Sequence, residues 1–309
     1  NLRIANYDLR FGGNVQTMCC PGRACFDSGR YFCYYSAMHQ DDTQMPRVTV
    51  IITTRNEERN IVACLQAVHA QSVPRSCYTI MLVDNASRDR TVDLAQPLVD
   101  AVHQKGPERS AQRNFGVAQA VTPYVLYLDA DMRLSPRVIE ACLQTVDADP
   151  SVVAVYIPEQ VVGEGFWIAV RNFERSFYDA TVIDAVRFMR REAFMAIGGF
   201  DGALCGPEDW DLDRRLAAHG RFALITAPLF HDEGAFALGR YLRKKSYYAR
   251  SFDAYARKWH HDAVVRQQLG AWYRYVGVFV EHGKWRRMLR HPLLALGMST
   301  LDNRGVRRA

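Results

Sequence analysis

The chain has no long apolar run. A membrane-spanning helix needs roughly 18 or more consecutive apolar residues, and the most apolar late segments, residues 275–280 and 292–298, stop far short of that. Residues 1–44 contain neither the charged region nor the apolar region of a signal peptide. C-x-x-C spacing followed by a histidine cluster is missing too, so a structural zinc site is not expected. Acidic residues are scarce at the far end. From Arg240 onward four acids face 16 Lys or Arg, a balance of +12 against −6 for residues 1–239. That basic stretch carries none of the modules by which proteins read nucleic acid, so no nucleic acid is expected beyond a nucleotide.

What is present describes a globular protein. With 49% hydrophobic and 23% charged residues, the chain can bury a sizeable core. Four of its eight cysteines (Cys19, Cys20, Cys25, Cys33) crowd near the start. The other four (Cys64, Cys77, Cys142, Cys205) are scattered in apolar contexts and read as free thiols in a reducing, cytoplasmic compartment. Residues 1–44 show no sustained period and read as an irregular extension, with Met45 expected to begin the folded unit.

From residue 48 the pattern alternates strand and helix. Residues 48–53 form a β-branched run, and Ile61, Cys64, Leu65 and Val68 follow at i, i+3, i+4 and i+7, one face of a helix. A second strand is predicted at 79–83, helices at 91–101 and 111–120, a third strand at 124–128, a helix opened by Ser135 and Pro136, and further strands at 152–157 and 222–225. Such alternation implies a mostly parallel α/β sheet covered by helices, with ligands bound beyond the carboxyl ends of its strands.

Polar clusters fall at those ends. Thr54, Asn56 and Glu57 follow the first strand, and Asp84 and Asn85 follow the second; either cluster offers donors and acceptors to a base and ribose, and either serves equally as a helix cap or Asx-turn. Asp129 and Asp131 follow the third. Two carboxylates at i and i+2 past a buried strand would repel unless a cation or a pyrophosphate complex occupied the site, and hard oxygen ligands suit Mg²⁺ or Mn²⁺. Glu208, Asp209 and Asp211 stand at the start of a helix, where the dipole favours carboxylates and where one of them is placed to take a proton from a hydroxyl. His231 becomes a further metal ligand in a site that already holds Asp131.

Between residues 48 and about 234 these motifs resemble the family 2 glycosyltransferases. The resemblance rests on Thr54-Arg55-Asn56-Glu57, on Arg113-Asn114-x-Gly116, on Asp129-Ala130-Asp131, and on Gly198-Gly199-Phe200-Asp201 followed by Glu208-Asp209. It implies a GT-A type, Rossmann-like α/β catalytic domain over residues 45–239 and inverting transfer from a nucleotide sugar, UDP-linked sooner than GDP-linked. It also implies Asp84 at the base, Asp129 at ribose or diphosphate, Asp131 at a divalent metal, and Asp209 as general base with Glu208 beside it. Here the family's second aspartate and glycine after the second strand are replaced by Asn85 and Ala86.

A nucleotidyltransferase would instead carry a Gly-rich phosphate loop after the first strand, and residues 53–56 contain no glycine. A noncatalytic binder of the same fold has no reason to keep Asp129, Asp131, Glu208 and Asp209 together. The remaining region, 240–309, is expected to be helical. Its Lys244 and Lys245 are candidates for the diphosphate, while Tyr248, Phe252 and Tyr255 at i, i+4 and i+7 fit core packing as well as ligand contact. The mixed basic and apolar run 285–294 reads as an interfacial segment, giving peripheral attachment to the inner face of an anionic membrane and a glycan or lipid-linked acceptor.

Overall fold

The structure is a computed structural model and describes residues 45–298 except 236, 237 and 250. The crowded cysteines and Met45's upstream neighbours therefore lie outside the described residues. Cys64, Cys77 and Cys142 are buried free thiols and Cys205 is half-buried.

Seven strands make the main sheet. β1 (Val48–Thr54) is buried along its whole length, as a central parallel strand covered on both faces must be. Helix α1 (Ile61–His69) packs Ile61, Cys64, Leu65 and Val68 against it, the four positions that the periodicity selects. β2 (Tyr78–Asp84) pairs parallel with β1. The helix predicted over 91–101 does not form as one piece. α2 (Thr91–Ala95) is followed by a single 3₁₀ turn, Gln96–Leu98, and then by the edge strand β3 (Ala101–Gln104). Pro97 has no N–H to continue the helical ladder, and the short edge strand shows its half-buried alternation only once paired with β2.

α3 (Arg109–Gln119) leads to β4 (Tyr124–Asp129), which is the fourth strand in the chain and not the third, because β3 precedes it. Next come β5 (Met132–Leu134), α4 (Val138–Ala148), β6 (Val152–Tyr156), β7 (Glu159–Glu164), α5 (Phe166–Arg175), β8 (Phe188–Arg190), α6 (Arg191–Ala196), α7 (Glu208–Leu216), β9 (Arg221–Leu224) and β10 (Leu229–Ala235). Ser135 does not cap α4: the helix starts three residues later, with no side-chain cap at Arg137.

The sheet order is β3-β2-β1-β4-β8-β6-β9, with β8 antiparallel to both neighbours and the other pairs parallel. A second sheet, β5-β10-β7, stands at the carboxyl end of β4. The order turns at β1, whose neighbours β2 and β4 run in opposite connection senses, and this is where ligands bind in open α/β sheets.

Beyond the sheets lie α8 (Leu238–Ala249), α9 (Phe252–Lys258) and α10 (Ala263–Leu269), then a π-helical stretch Tyr273–Gly277 and the short helix Trp285–Arg290. These elements share apolar clusters with the sheet-bearing part: Tyr273, Val278, Phe279 and Met298 pack with Val170, Phe173 and Phe177, and Tyr255 and Val265 pack with Leu204. Tyr255 is core, whereas Tyr248, on the preceding helix, reaches the cavity described below. Among the described residues no helix is long and apolar enough to cross a membrane.

Candidate active site

The ends of β1 and β4, the start of α3, the Gly206 turn before α7, strand β10 and Tyr248 enclose a cavity of about 330 Å³. Its lining includes Thr54, Glu57, Arg109, Asp129, Asp131, Arg187, Asp209, His231 and Tyr248.

α3 supplies the centre. Its Gly116 lies where a Cβ would meet Ile51 Cγ2 at 2.6 Å, so only glycine lets the helix rest this close on β1. Asn114 clasps the turn before α7, accepting from Phe200 N at 2.7 Å and donating to Phe200 O at 2.9 Å. Arg113, almost fully buried, then bridges two carboxylates, donating to Asp129 Oδ1 and to Asp209 Oδ1 at 3.0 Å each. Its guanidinium lies over the Tyr127 ring at 4.3 Å, a stacking that suits arginine and not lysine. One turn earlier on the same helix face, Arg109 donates to Asp129 Oδ2 at 3.4 Å, to Glu208 Oε1 at 3.2 Å and to Tyr248 Oη at 3.1 Å.

This corrects one step of the sequence argument. Asp129 does not need a cation to sit near Asp131, because two arginines already answer its charge. Burial opposes its ionisation, but the charges of Arg113, Arg109 and Arg187 override that and hold its carboxyl far below the ordinary range.

Asp131 is different. Its Oδ2 lies 3.2 Å from His231 Nε2, while its Oδ1 is buried with no hydrogen-bond partner. His231, which sits within β10, has Nδ1 at 2.8 Å from Glu159 Oε1. Burial alone would lower its imidazole pKa; hydrogen bonds to Asp131 and Glu159 raise it instead, to about 10. Among the described residues no three His, Cys, Asp or Glu side chains form a complete metal cluster. An orphaned buried carboxylate oxygen beside an imidazole nitrogen nevertheless fits a divalent ion that takes one or two protein donors and completes its shell with phosphate oxygens and water.

At α7 the acidic run separates into three environments. Asp209 lines the cavity, with Oδ1 engaged by Arg113 and by Tyr127 Oη at 3.2 Å and no hydrogen-bond partner in the described protein for Oδ2. Glu208 is buried, bound by Arg109 and by Gly206 N, and burial followed by the adjacent Asp209 charge raises its carboxyl above the ordinary value. Asp211 is fully buried away from the cavity, held by Arg215, Lys258 and Trp259.

The first two clusters spend much of their polarity on each other. Asp84 accepts from Thr54 Oγ1 at 2.7 Å and from Ser87 N and Oγ at 2.7 and 2.6 Å. Asn56, in the left-handed region at φ 56°, accepts from Arg88 N at 2.8 Å. Asn85 packs against Gly106, where any Cβ would collide with its Oδ1. Glu57 accepts from Asn60 and lines the cavity, with burial raising its carboxyl. Thr54 and Glu57 thus reach the cavity, whereas Asp84, Asn56 and Asn85 brace the loops around it. The side chains of Lys244 and Lys245 lie outside the described residues, although both fall within α8. Arg109, Tyr127, Glu159 and Arg187 had no place in the sequence argument.

The fold is of the GT-A type, and the D-x-D after β4 and the acidic start of α7 meet at one cavity. The chain belongs to glycosyl transferase family 2, whose model matches residues 49–206. Over 109 residues it is 32% identical to glycosyltransferase AglE of Haloferax volcanii, covering 33% of this chain and 36% of that protein, so the chain spans only about a third of that relative's length. Mannosyltransferase PcManGT from Pyrobaculum calidifontis, solved with GDP-Man and Mn²⁺, has the same fold at a TM-score of 0.55 and 22% identity, covering 87% of this chain and 77% of that one. S. aureus TarS in complex with UDP-GlcNAc matches at a TM-score of 0.50 and 16% identity, covering 76% of each chain.

Proposed function

We propose that the enzyme transfers a sugar, with inversion, from a nucleotide sugar to a hydroxyl or phosphate acceptor, with Asp209 as the general base. The observation that carries this reading is the state of Asp209: Arg113 and Tyr127 hold one carboxylate oxygen, and the other is unengaged in a cavity that also holds Asp131 and His231. The acceptor O–H gives its proton to Asp209 as the oxygen lone pair attacks the anomeric carbon. The bond from that carbon to the β-phosphate oxygen breaks, and its electron pair leaves on the nucleoside diphosphate. A single displacement from the opposite face inverts the centre. Geometry matters more than basicity here, since an ionised carboxylate is a modest base.

Asp131 and His231 would hold Mg²⁺ or Mn²⁺, which when bound offsets charge on the departing diphosphate. Arg109 and Arg187 line the cavity beside them and contribute fixed positive charge. Thr54 and Glu57, with Asp84, Asn56 and Asn85 shaping the loops, would receive base and ribose, and Lys244 and Lys245 would approach the diphosphate. A UDP-sugar is favoured; TarS binds UDP-GlcNAc and PcManGT binds GDP-Man. A panel of UDP- and GDP-sugars, assayed for hydrolysis and transfer with added Mn²⁺ or Mg²⁺, tests the reading. Failure of every nucleotide sugar to bind would overturn it.

The acceptor is read as a glycan or lipid-linked molecule at an anionic membrane, which the basic region 240–309 would meet peripherally. Support comes from apolar side chains left in solvent near the end of the described chain: Trp272 is 69% exposed, Leu289 71%, Leu293 73% and Leu296 65%. Arg274, Arg286, Arg287 and Arg290 are interspersed with them, and Glu281 is the only acid between residues 263 and 298. Apolar side chains bordered by cations match the boundary between acyl chains and anionic headgroups. Cosedimentation with vesicles should rise with phosphatidylserine content, fall with salt and drop in Leu289→Glu/Leu293→Glu. Binding indifferent to all three would remove the membrane from the reading.

A further inference from the structure

Three ionisable groups at one end of the cavity sit on three neighbouring strands, and only two of them have a role so far. Asp131 directly precedes β5, His231 lies on β10 opposite Met132, and Glu159 opens β7. The β10–β7 register sets Val161 opposite His231. Glu159 is two residues earlier and therefore shares the face of the sheet that carries the imidazole. Its Oε1 accepts a hydrogen bond from Nδ1–H at 2.8 Å, which leaves Nε2 turned toward Asp131. Its Oε2 is held by Arg187 at 3.2 Å and by Arg175 at 3.5 Å, and Arg175 is itself anchored to Asp184 at 2.7 Å. A carboxylate only 9% exposed and locked by two arginines is poorly explained as a stability device, because buried ion pairs seldom outperform apolar packing.

We propose that Glu159 is a positioning residue for the metal site. It fixes the tautomer and ring orientation of His231 so that Nε2 and the orphaned oxygen of Asp131 face one ion, while Arg175 and Arg187 keep Glu159 in place. A ligand imidazole whose second N–H is held by a carboxylate is both better aimed and a stronger donor. The inference rests on the reading of Asp131 and His231 as metal donors.

Calorimetric titration of Mn²⁺ into the enzyme with UDP present, for wild type, Glu159→Gln, His231→Ala and the double variant, tests it. Each single change is expected to weaken Mn²⁺ binding by roughly 10- to 100-fold. In the His231→Ala background the Glu159 change should add less than about twofold, since its effect passes through the imidazole. Electron-spin-echo spectra of bound Mn²⁺ should show an imidazole-nitrogen coupling that His231→Ala removes and Glu159→Gln weakens, and saturating Mn²⁺ should restore turnover in Glu159→Gln. If Glu159→Gln does not fold, Glu159→Asp carries the same comparison. Undiminished Mn²⁺ affinity in a folded Glu159 variant, alongside a loss in His231→Ala, overturns this inference and leaves the metal reading standing. Equal losses with and without His231 make the role structural and overturn it as well. Undiminished affinity in His231→Ala overturns the metal reading itself.

Discussion

On the wall of the cavity built by α3 and α7, each carboxylate has an arginine: Asp129 has two, Asp209 shares Arg113 and Glu208 takes Arg109. On the wall built by the small sheet, Asp131 keeps a buried oxygen with no hydrogen-bond partner among the described residues. The first wall is electrically complete before any substrate arrives, as preorganised catalytic groups need to be. The second pairs Asp131 with His231 through one oxygen and leaves the other open. Two aspartates that the sequence presents as one D-x-D motif thus belong to different devices.

The comparison breaks most visibly at Asp209. Asp209→Asn keeps the shape and removes the proton acceptor, so transfer should fall by roughly 10² to 10⁴ while nucleotide-sugar affinity measured by calorimetry stays near wild type. A near-normal rate would move the base to another residue. Asp131→Ala attacks the other wall. Transfer at fixed Mn²⁺ should drop by about 10², a few kcal/mol of lost charge stabilisation, and nucleotide affinity should no longer respond to chelator. Unchanged chelator sensitivity would show that the ion is held elsewhere. Glu208→Gln should cost only about tenfold, the worth of one charge-assisted hydrogen bond to Arg109, and a loss equal to that of Asp209→Asn would show the acidic pair to be reversed.

The sequence makes the first wall more legible than the second, for physical reasons. β1, α1, β2, α3, β4 and α7 are long enough for their period to repeat; Arg113 lies within α3, Asp129 ends β4, and Glu208 and Asp209 open α7. Arg109 was available too: it stands four residues before Arg113, on the same helix face. β5 and β8 are three residues each, too short for an alternation to be seen, and β3 is masked by the helical reading that Pro97 cuts off. Glu159 left a faint signal, an acid directly after the apolar run 152–157 and Pro158, but its partner His231 is 72 residues away and only the β10–β7 pairing joins them. Asp84 and Asn56 show the reverse case. Their residue types fit ligand binding and loop bracing equally, and their hydrogen bonds are to the loops.

The smallest expected effect on transfer belongs to Asp211, the carboxylate that the sequence cannot separate from Asp209. Two positions along a helix turn a side chain by about 200° around the axis, so if one faces the cavity the other faces the interior. Asp211 is indeed fully buried: Oδ2 binds Arg215 at 2.8 Å, and Oδ1 lies 2.7 Å from Lys258 and accepts from Trp259 Nε1 at 2.8 Å. Asp211→Asn keeps the acceptor for Trp259 and removes the charge facing both cations. Breaking a buried pair costs about 3–5 kcal/mol in general. Here Arg215 still donates to Ile197 O and Gly199 O, and Lys258 still pairs with Asp201, so a loss nearer 2 kcal/mol is expected, about 3 °C in Tm for a chain of this size. The rate of transfer per folded molecule should stay within about threefold, less than the loss of one hydrogen bond at the reacting centre would cause. Thermal melts and initial rates on the same preparation decide the matter. A rate loss of 10² with an unshifted melt would place Asp211, and not Asp209, at the acceptor.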